Sequence, residues 1–481
     1  MSKIRFRYKL LAAVLLVWAG SGLWQAGKPL PEGISAEFPW RPAAEVSFLA
    51  DRTFVDGQGR RRSEQVIFDE ILAMIGGAQR LVVADMFLFN DFGGDEGGAL
   101  RPLSEELTAA LVERMAQVPG LRVLLVTDPV NTVYGGVRAG HLDRLEEAGA
   151  VVVETGLTRL RASNPAWSGP WALCCAWLGN SADGGWLPGP FDDERVTVRS
   201  WLALLNFRAN HRKTLVVDDS DGWQALVTSA NPHDASSAHN NVALRFSGAA
   251  ALDVLASEAA VAAFSGVDVD DMDLPSAMPE GSLGRDEPSR LRVLTEGKIR
   301  AAVLDMLDGA ESGDRLDLAM FYLSDRKVIA ALKSAQRRGA ELRVLLDPNE
   351  DAFGRKKNGV PNRSVADELV GAGVDVRWCD THGEQCHAKF LLHQADGQAS
   401  MLLGSANFTR RNLADLNLET SVQWAAPADE PAMRLAADWF DETWANEAGR
   451  RYSVRHEKYA DDGLLHRWWY RLGEATGFST W

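Results

Sequence analysis

The chain reads as an α/β protein of two pseudo-symmetric α/β/α sandwich halves, each with a mixed central sheet, sharing one active site. Three observations predict this. The first is a phrase spelled twice: His211-Arg-Lys213 then Ser229-Ala-Asn231, and His387-Ala-Lys389 then Ser405-Ala-Asn407, each position offset by 176 residues. Asn241 and Asn417 keep the same offset. The second is an alternation of short apolar runs with stretches of helical period, in the same order in both halves. The third is size, since 481 residues exceed one ordinary core. A single HxK would be noise, but two copies with His, Lys, Ser and Asn in register point to a duplicated half-site.

Residues 1–27 stand apart from the repeat. Lys3, Arg5, Arg7 and Lys9 lead into an apolar run from Leu10 to Trp18 that continues weakly to Trp24. This is the pattern of a signal anchor or signal peptide. A buried N-terminal helix is the remaining alternative. The run is short for a full span, which needs about 20 residues, and Ala19, Ser21 and Ala26 offer only weak cleavage sites. An uncleaved anchor is the reading adopted. Cations before the run place the N-terminus in the cytoplasm and the catalytic body outside it, periplasmic if the cell is bacterial. A linker over 28–45 follows, then a first half over 46–268, an acidic, Pro/Gly-rich linker over 269–289, and a second half over 290–481.

In the first half, an apolar strand around Val46–Leu49 precedes a helix around Glu64–Ile75 with apolar residues at 66, 67, 71, 72 and 75. A buried strand at Leu81–Phe89, a helix at Ser104–Met115 and a strand at Leu121–Thr127 come next. The second half repeats them with Leu291–Leu294, Ile299–Leu307, Leu316–Tyr322, Asp325–Gln336 and Leu342–Leu346. The last strand ends in Asp128-Pro129 or Asp347-Pro348. Then come a helix and a strand: Leu142–Gly149 with Val151–Val153, and Val365–Gly373 with Val374–Arg377. Only the first half carries an insert, about 155–203, with Trp167, Trp171, Trp177, Trp186 and Trp201 around Cys174-Cys175. Trp suits surfaces that are half apolar and half wet, so the insert reads as a wall touching acyl chains or bilayer, or as packing for a long excursion. The tail Leu464–Tyr470, with Trp468 and Trp469, carries the same two readings.

Composition narrows the function. An apolar share of 46% and a charged share of 24% are those of a folded globular protein. A net charge of −15 weighs against DNA or RNA as the main partner, because a nucleic-acid binder presents a positive field. The anchor, the Trp-rich insert and this charge favour a lipid or membrane surface over nucleic acid as partner; oligomeric state is left open. Four cysteines make no dense disulfide framework. Cys379, His382, Cys386 and His387 loosely imitate a zinc site, but a metal there would consume His387.

The repeat itself carries the chemistry. Each HxK opens an apolar strand, Lys213–Val217 or Lys389–Leu392, and residues i and i+2 of a strand share a side. The Ser-x-Asn follows the next strand, Leu226–Thr228 or Met401–Leu403, at its carboxyl end, where open α/β sheets commonly bind ligands. If the halves face each other, His211, Lys213, Asn231, His387, Lys389 and Asn407 converge on one pocket. Lysines neutralise non-bridging phosphate oxygens and Asn amides donate to them. One neutral imidazole attacks phosphorus to give a phosphohistidine, while the other protonates the leaving alkoxide and later deprotonates water or an alcohol. The lysines supply the positive charge, so no metal or other cofactor is expected. His233 and His239 lie near Asn231 and could line the pocket, but loop histidines are more often merely solvated, so they stay outside the catalytic set. Arg355, Lys356 and Lys357 form a basic loop beside the second-half strand end that could steer anionic headgroups, with a solvated charge run as the preferred account.

These residues resemble the phospholipase D superfamily, whose mark is a duplicated HxK(x)4D followed by (G)SxN. His211 to Asp218 matches in full, and Thr228-Ser229-Ala230-Asn231 follows. The second copy has His387, Lys389 and Gly404-Ser405-Ala406-Asn407, with Gln394 where the pattern has Asp. The resemblance implies an acid after the second Asn that bonds a catalytic His, which Glu419 fits; the first half has Ala243 in that register, so it is expected to have lost one orienting residue. It also implies His211 as nucleophile and His387 as acid/base, with Asp218, Ser229 and Ser405 in support. By strand alternation Asp218 points away from the phosphate. The activity implied is that of phospholipases D and cardiolipin synthases, hydrolysis or phosphatidyl transfer. The alternatives are an extracytoplasmic nuclease of the same superfamily and a degenerate membrane scaffold.

Overall fold

The computed structural model describes residues 2–479 apart from 93–99, 192–193, 270–271, 273, 276–286, 353–354, 462 and 478. Most of the acidic 269–289 linker lies outside the described residues.

The first half contributes β1 (Ala44–Ala50), β2 (Leu81–Met86), β3 (Arg122–Thr127), β4 (Val151–Glu154), β5 (Lys213–Asp218), β6 (Trp223–Thr228) and β7 (Val242–Ser247). They form one sheet in the order β1-β7-β6-β5-β2-β3-β4. The second half contributes β8 (Arg290–Thr295), β9 (Arg315–Met320), β10 (Glu341–Leu346), β11 (Asp375–Cys379), β12 (Lys389–Ala395), β13 (Gln398–Gly404), β14 (Thr420–Pro427) and β15 (Ser453–Arg455). Their order is β8-β14-β13-β12-β9-β10-β11-β15. Without the edge strand β15, the two sheets have one topology. In each, three parallel strands (β2-β3-β4, β9-β10-β11) adjoin an antiparallel ribbon through β5 or β12. The protein is thus a pair of pseudo-symmetric α/β halves with mixed sheets.

The helices are α1 (Ser2–Gly27), α2 (Ile67–Gly77), α3 (Leu103–Gln117), α4 (Gly140–Glu147), α5 (Pro165–Cys174), α6 (Val198–Leu204), α7 (Ala249–Phe264), α8 (Gly297–Asp308), α9 (Arg326–Arg338), α10 (Asn362–Val370), α11 (Arg410–Leu413), α12 (Pro431–Ala445) and α13 (Leu464–Thr476). Strand alternation explains the layering. Val82, Ala84 and Met86 of β2 face α2 and α3, while Leu81 and Val83 face a core shared with α7 and α12. Phe390 and Leu392 of β12 enter the same shared core, and Leu391 faces α8 and α9. Phe48, Phe390, Trp439 and Phe440 stack across it. A continuous apolar layer therefore joins the halves.

Several boundaries differ from the sequence reading for local reasons. The helix expected from Glu64 begins at Ile67, because Arg61–Glu64 pairs with Arg52–Val55 as a hairpin and Asp51 accepts the Val66 and Ile67 N–H groups. The strand expected to reach Phe89 ends at Met86, since Asn131 takes up the Phe89 N–H beyond it. Residues 28–45 are not a free tether: Arg41–Pro42 pairs with β8 of the second half.

The insert splits between its two readings. Trp171 is buried, whereas Trp177 and Trp186 are 72% and 63% exposed. Helix α5 packs on α1, and the crossing is close enough to need glycine. A Cβ on Gly169 would stand 2.7 Å from the Gly22 nitrogen. Trp18 Nε1 donates to the Ala166 carbonyl at 2.8 Å and Ser21 Oγ to that of Gly169 at 2.9 Å. Most of the rest of α1 is exposed, and Phe6–Gly27 is long and apolar enough to cross a membrane.

Candidate active site

The two halves are stitched together at the repeated motif. The segment before β5 pairs with the segment before β14: His211 N–H donates to the Leu418 carbonyl and Leu418 N–H to that of Ala209. The segment before β12 does the same with the one before β7, His387 N–H to the Asn240 carbonyl and Asn240 N–H to that of Gln385. Each histidine is therefore held by the opposite half. Both are buried, and His211 and His387 interact electrostatically with each other and with both lysines.

The side chains follow the same crossed plan. His211 Nδ1 lies 3.0 Å from a Glu419 carboxylate oxygen, and His387 Nδ1 lies 3.1 Å from Asn241 Oδ1. Ser405 Oγ and Asn412 Nδ2 donate to Glu419, while Ser229 Oγ donates to Asn241 Oδ1 at 3.1 Å. Asn241, and not Ala243, is thus the counterpart of Glu419. The constant offset of 176 misleads here. Glu419 lies twelve residues beyond Asn407 but Asn241 only ten beyond Asn231, so the second half carries two extra residues. Asn417, which seemed the partner of Asn241, instead accepts the Ala209 N–H. The expectation that the first half lost its orienting residue is corrected: an amide stands in place of the carboxylate.

Lys213 and Lys389 are also symmetric. Each Nζ donates to the carbonyl of the histidine two residues before it, at 2.7 Å in both halves. Each ammonium lies over a phenylalanine that also touches the histidine: Phe87 against Lys213 and His211, Phe321 against Lys389 and His387. The sequence reading passed over this pair, although Met-Phe follows the strand in both halves. Asn231 Oδ1 accepts the Leu88 N–H at 3.5 Å, and Asn407 Oδ1 is buried without a partner among the described residues.

The repeated Asp-Pro proves to be part of this framework. Asp128 accepts the Asn210 N–H at 2.7 Å and Asp347 accepts that of Cys386 at 2.7 Å, so each carboxylate holds the residue just before the histidine. Each also accepts an N–H two residues ahead, from Val130 or Asn349. Asp218 sits at the far end of β5, capping the Arg80 and Leu81 N–H groups and pairing with Arg80. Gln394 is in register with Arg315 at the corresponding end of β12.

Burial sets the electrostatics. It lowers the His211 pKa to about 4 against the opposing pull of Glu419, and lowers Lys213 to about 7. His387 and Lys389 are pushed down by burial and then by neighbouring positive groups. Asp128 and Asp347 are raised to about 7, chiefly by burial. Four buried groups able to carry positive charge thus lie within electrostatic reach of one another, an arrangement relieved by a bound anion.

Two other expectations change, those for the loop histidines and for Lys357. His233 and His239 are not solvated but 2% and 3% exposed. His233 is used up by Ser236 Oγ and the Phe92 carbonyl. Cys379 and Cys386 form a disulfide, leaving no pair of thiolates for zinc, and Cys174 bonds to Cys175. Lys357 is not simply solvated, since its Nζ donates to the Tyr322 hydroxyl at 2.5 Å.

Comparison with known proteins agrees with this geometry. A family model described as cardiolipin synthase, PLD-like domain, matches residues 303–444. No curated protein matches the chain. Among solved structures, phosphatidylserine synthase of Haemophilus influenzae Rd KW20 superposes with a TM-score of 0.56 at 10% identity, over 90% of this chain and 93% of that one. Polyphosphate kinase of Porphyromonas gingivalis gives 0.44 at 12% identity over 90% and 53%. Nuc of Salmonella typhimurium, a phospholipase D family member, gives 0.27 at 19% identity over 34% and 99%. The second half thus carries, over residues 303–444, the PLD-like domain that this family model describes, and the first half repeats its strand order around the same duplicated motif.

Proposed function

We propose that this protein is a membrane-anchored phosphodiesterase or phosphatidyltransferase acting on phospholipids through a phosphohistidine. The observation that carries the reading is the crossed bracing of two imidazoles. Nδ1 of each is engaged by the opposite half, which leaves both Nε2 atoms for chemistry beside two buried lysines.

The neutral His211 Nε2 attacks phosphorus, forming the N–P bond as the P–O bond to the leaving alkoxide breaks. The ring becomes cationic on phosphorylation, and Glu419 at Nδ1 offsets that charge. The phosphate anion favours the imidazolium form of His387, which gives its Nε2 proton to the alkoxide and keeps Nδ1–H on Asn241. His387 then takes a proton from water or an alcohol, whose oxygen attacks phosphorus and releases His211. Lys213, Lys389, Asn231 and Asn407 hold the non-bridging oxygens, and no step calls for a metal. Ser229 and Ser405 fix Asn241 and Glu419, while Asp218 supports the strand from its remote end.

The lipid assignment rests on the periphery. Helix α1 is a candidate anchor, and Trp177, Trp186, Trp468 and Trp469 are all more than half exposed. Trp at a surface suits a membrane interface. Two disulfides favour an oxidising compartment, in keeping with a body outside the cytoplasm. The net charge of −15 disfavours nucleic acid.

The test uses purified full-length protein with mixed-headgroup vesicles and glycerol, with and without chelator, and separately with single-stranded DNA. Lipid hydrolysis or glycerol transfer is expected to persist in chelator and to vanish in His211→Ala and His387→Ala. DNA cleavage without lipid turnover would refute the lipid reading.

A further inference from the structure

The crossed symmetry of the site breaks at His239. This residue lies two positions before Asn241, and its counterpart two positions before Glu419 is Asn417. Asn417 does a structural task, accepting the Ala209 N–H at 3.1 Å. His239 is 3% exposed, with its ring centroid 5.9 Å from that of His387. Lys389 is near enough to act on it electrostatically. Its backbone carbonyl accepts from Asn241 Nδ2 at 3.3 Å, so the residue is tied to the amide that orients His387.

The ring nitrogens differ. Nδ1 faces the Gln385 N–H at 3.4 Å and serves as acceptor, which assigns the ring proton to Nε2. That Nε2 is buried and has no hydrogen-bond partner among the described residues. A buried donor left unmade is costly, and native structures seldom leave one without a reason. Of the groups around it, Lys389 only donates, His233 has both ring nitrogens engaged, and His387 offers only the Nε2 that the reaction uses. An anionic oxygen held beside His387 would complete it.

We infer that His239 is a phosphate-binding residue, a neutral imidazole whose Nε2–H donates to a non-bridging oxygen of the phosphodiester. The inference rests on the phosphate-handling role proposed for the site and deepens it. His239 adds a donor with no counterpart in the other half. The phosphoryl group is then gripped unequally, which fixes which ester oxygen faces His387. No proton leaves His239 in the cycle, so it is distinct from the two imidazoles that exchange protons and bonds.

The test uses the full-length protein in detergent micelles, with its histidine rings labelled with ¹⁵N and inorganic phosphate as the probe. Phosphate is expected to shift the imidazole signals of His211, His387 and His239 together. His239→Ala should weaken phosphate binding about tenfold, the scale of one hydrogen bond to an anion. His239→Gln, which keeps a side-chain N–H, should restore most of it. Phosphate that moves His211 and His387 but not His239, with unchanged affinity in His239→Ala, would overturn the inference and leave the site's proposed role standing. No shift of any ring would overturn that role, and the inference with it.

Discussion

Glu419 and Asn241 occupy equivalent places and differ by one charge, and that difference divides the two histidines. A carboxylate beside an imidazole favours its charged form, whereas an amide only orients it. Glu419 opposes the burial that takes His211 down to about 4. Glu419→Gln should therefore lower the proton affinity of His211 further and leave a phosphorylated ring uncompensated. Turnover should fall on the order of a hundredfold. Asn241→Asp should act in the opposite sense on His387, moving the limb of the pH–rate profile that it governs to higher pH. Paired profiles of the two variants check both expectations, and unchanged limbs would mean that these side chains do not act through the rings.

At the scale of elements, the strand ends are held by buried polar groups that carry their own pH signature. Asp128 is raised to about 7 in the fold from an ordinary 3.8. The folded chain thus binds a proton that the unfolded chain has released between those values. The contribution of Asp128 to stability is present in full below the lower value and is lost as pH rises through the upper one. Asp128→Asn removes that loss, so its stability relative to the parent should improve steadily from pH 4 to pH 8 in urea unfolding. The link from β5 to the neighbouring half is different in kind. Arg212, between His211 and Lys213, pairs with Glu258 of α7 at 3.2 Å and with Glu296 just before α8 at 2.7 Å. All three are buried, and removing one member strands the others. Arg212→Met should cost roughly 3–5 kcal/mol, read as a lowered unfolding midpoint.

Over the whole molecule, the shared apolar layer makes the site a property of both halves together, since neither completes a histidine alone. The same unity extends to α1, which meets the body at its C-terminal end. Gln25 accepts from Arg208, and Lys28 Nζ donates to the Thr158 carbonyl. The exposed stretch before that end carries Leu11 and Leu15, at 55% and 48% exposure. Charge there is costly in a bilayer, at about 2.5–3.5 kcal/mol per residue. Leu11→Lys with Leu15→Lys should move the protein from the membrane pellet to the soluble fraction. Turnover of a water-soluble phosphodiester should be retained. A protein that still pellets would show that α1 is not the anchor.

Much of this protein was legible in its sequence. The order of strands and helices, the duplicated His-Lys pairs and the apolar leader are local patterns, set by the period of side chains along a strand or helix and by motif spacing. The contacts that give those residues their chemistry were not legible. Glu419 meets His211 and Asn241 meets His387 only because two ribbons cross between halves, and a two-residue difference in loop length shifts the true equivalence away from the constant offset. Burial was equally hidden. His239 sits in a polar loop whose neighbours in sequence suggest solvent, yet packing against the opposite half encloses it. Chain pattern determined the fold and the chemical groups; which group faces which, and in what dielectric, was decided by the packing of one half on the other, because pairing and burial depend on residues distant in sequence.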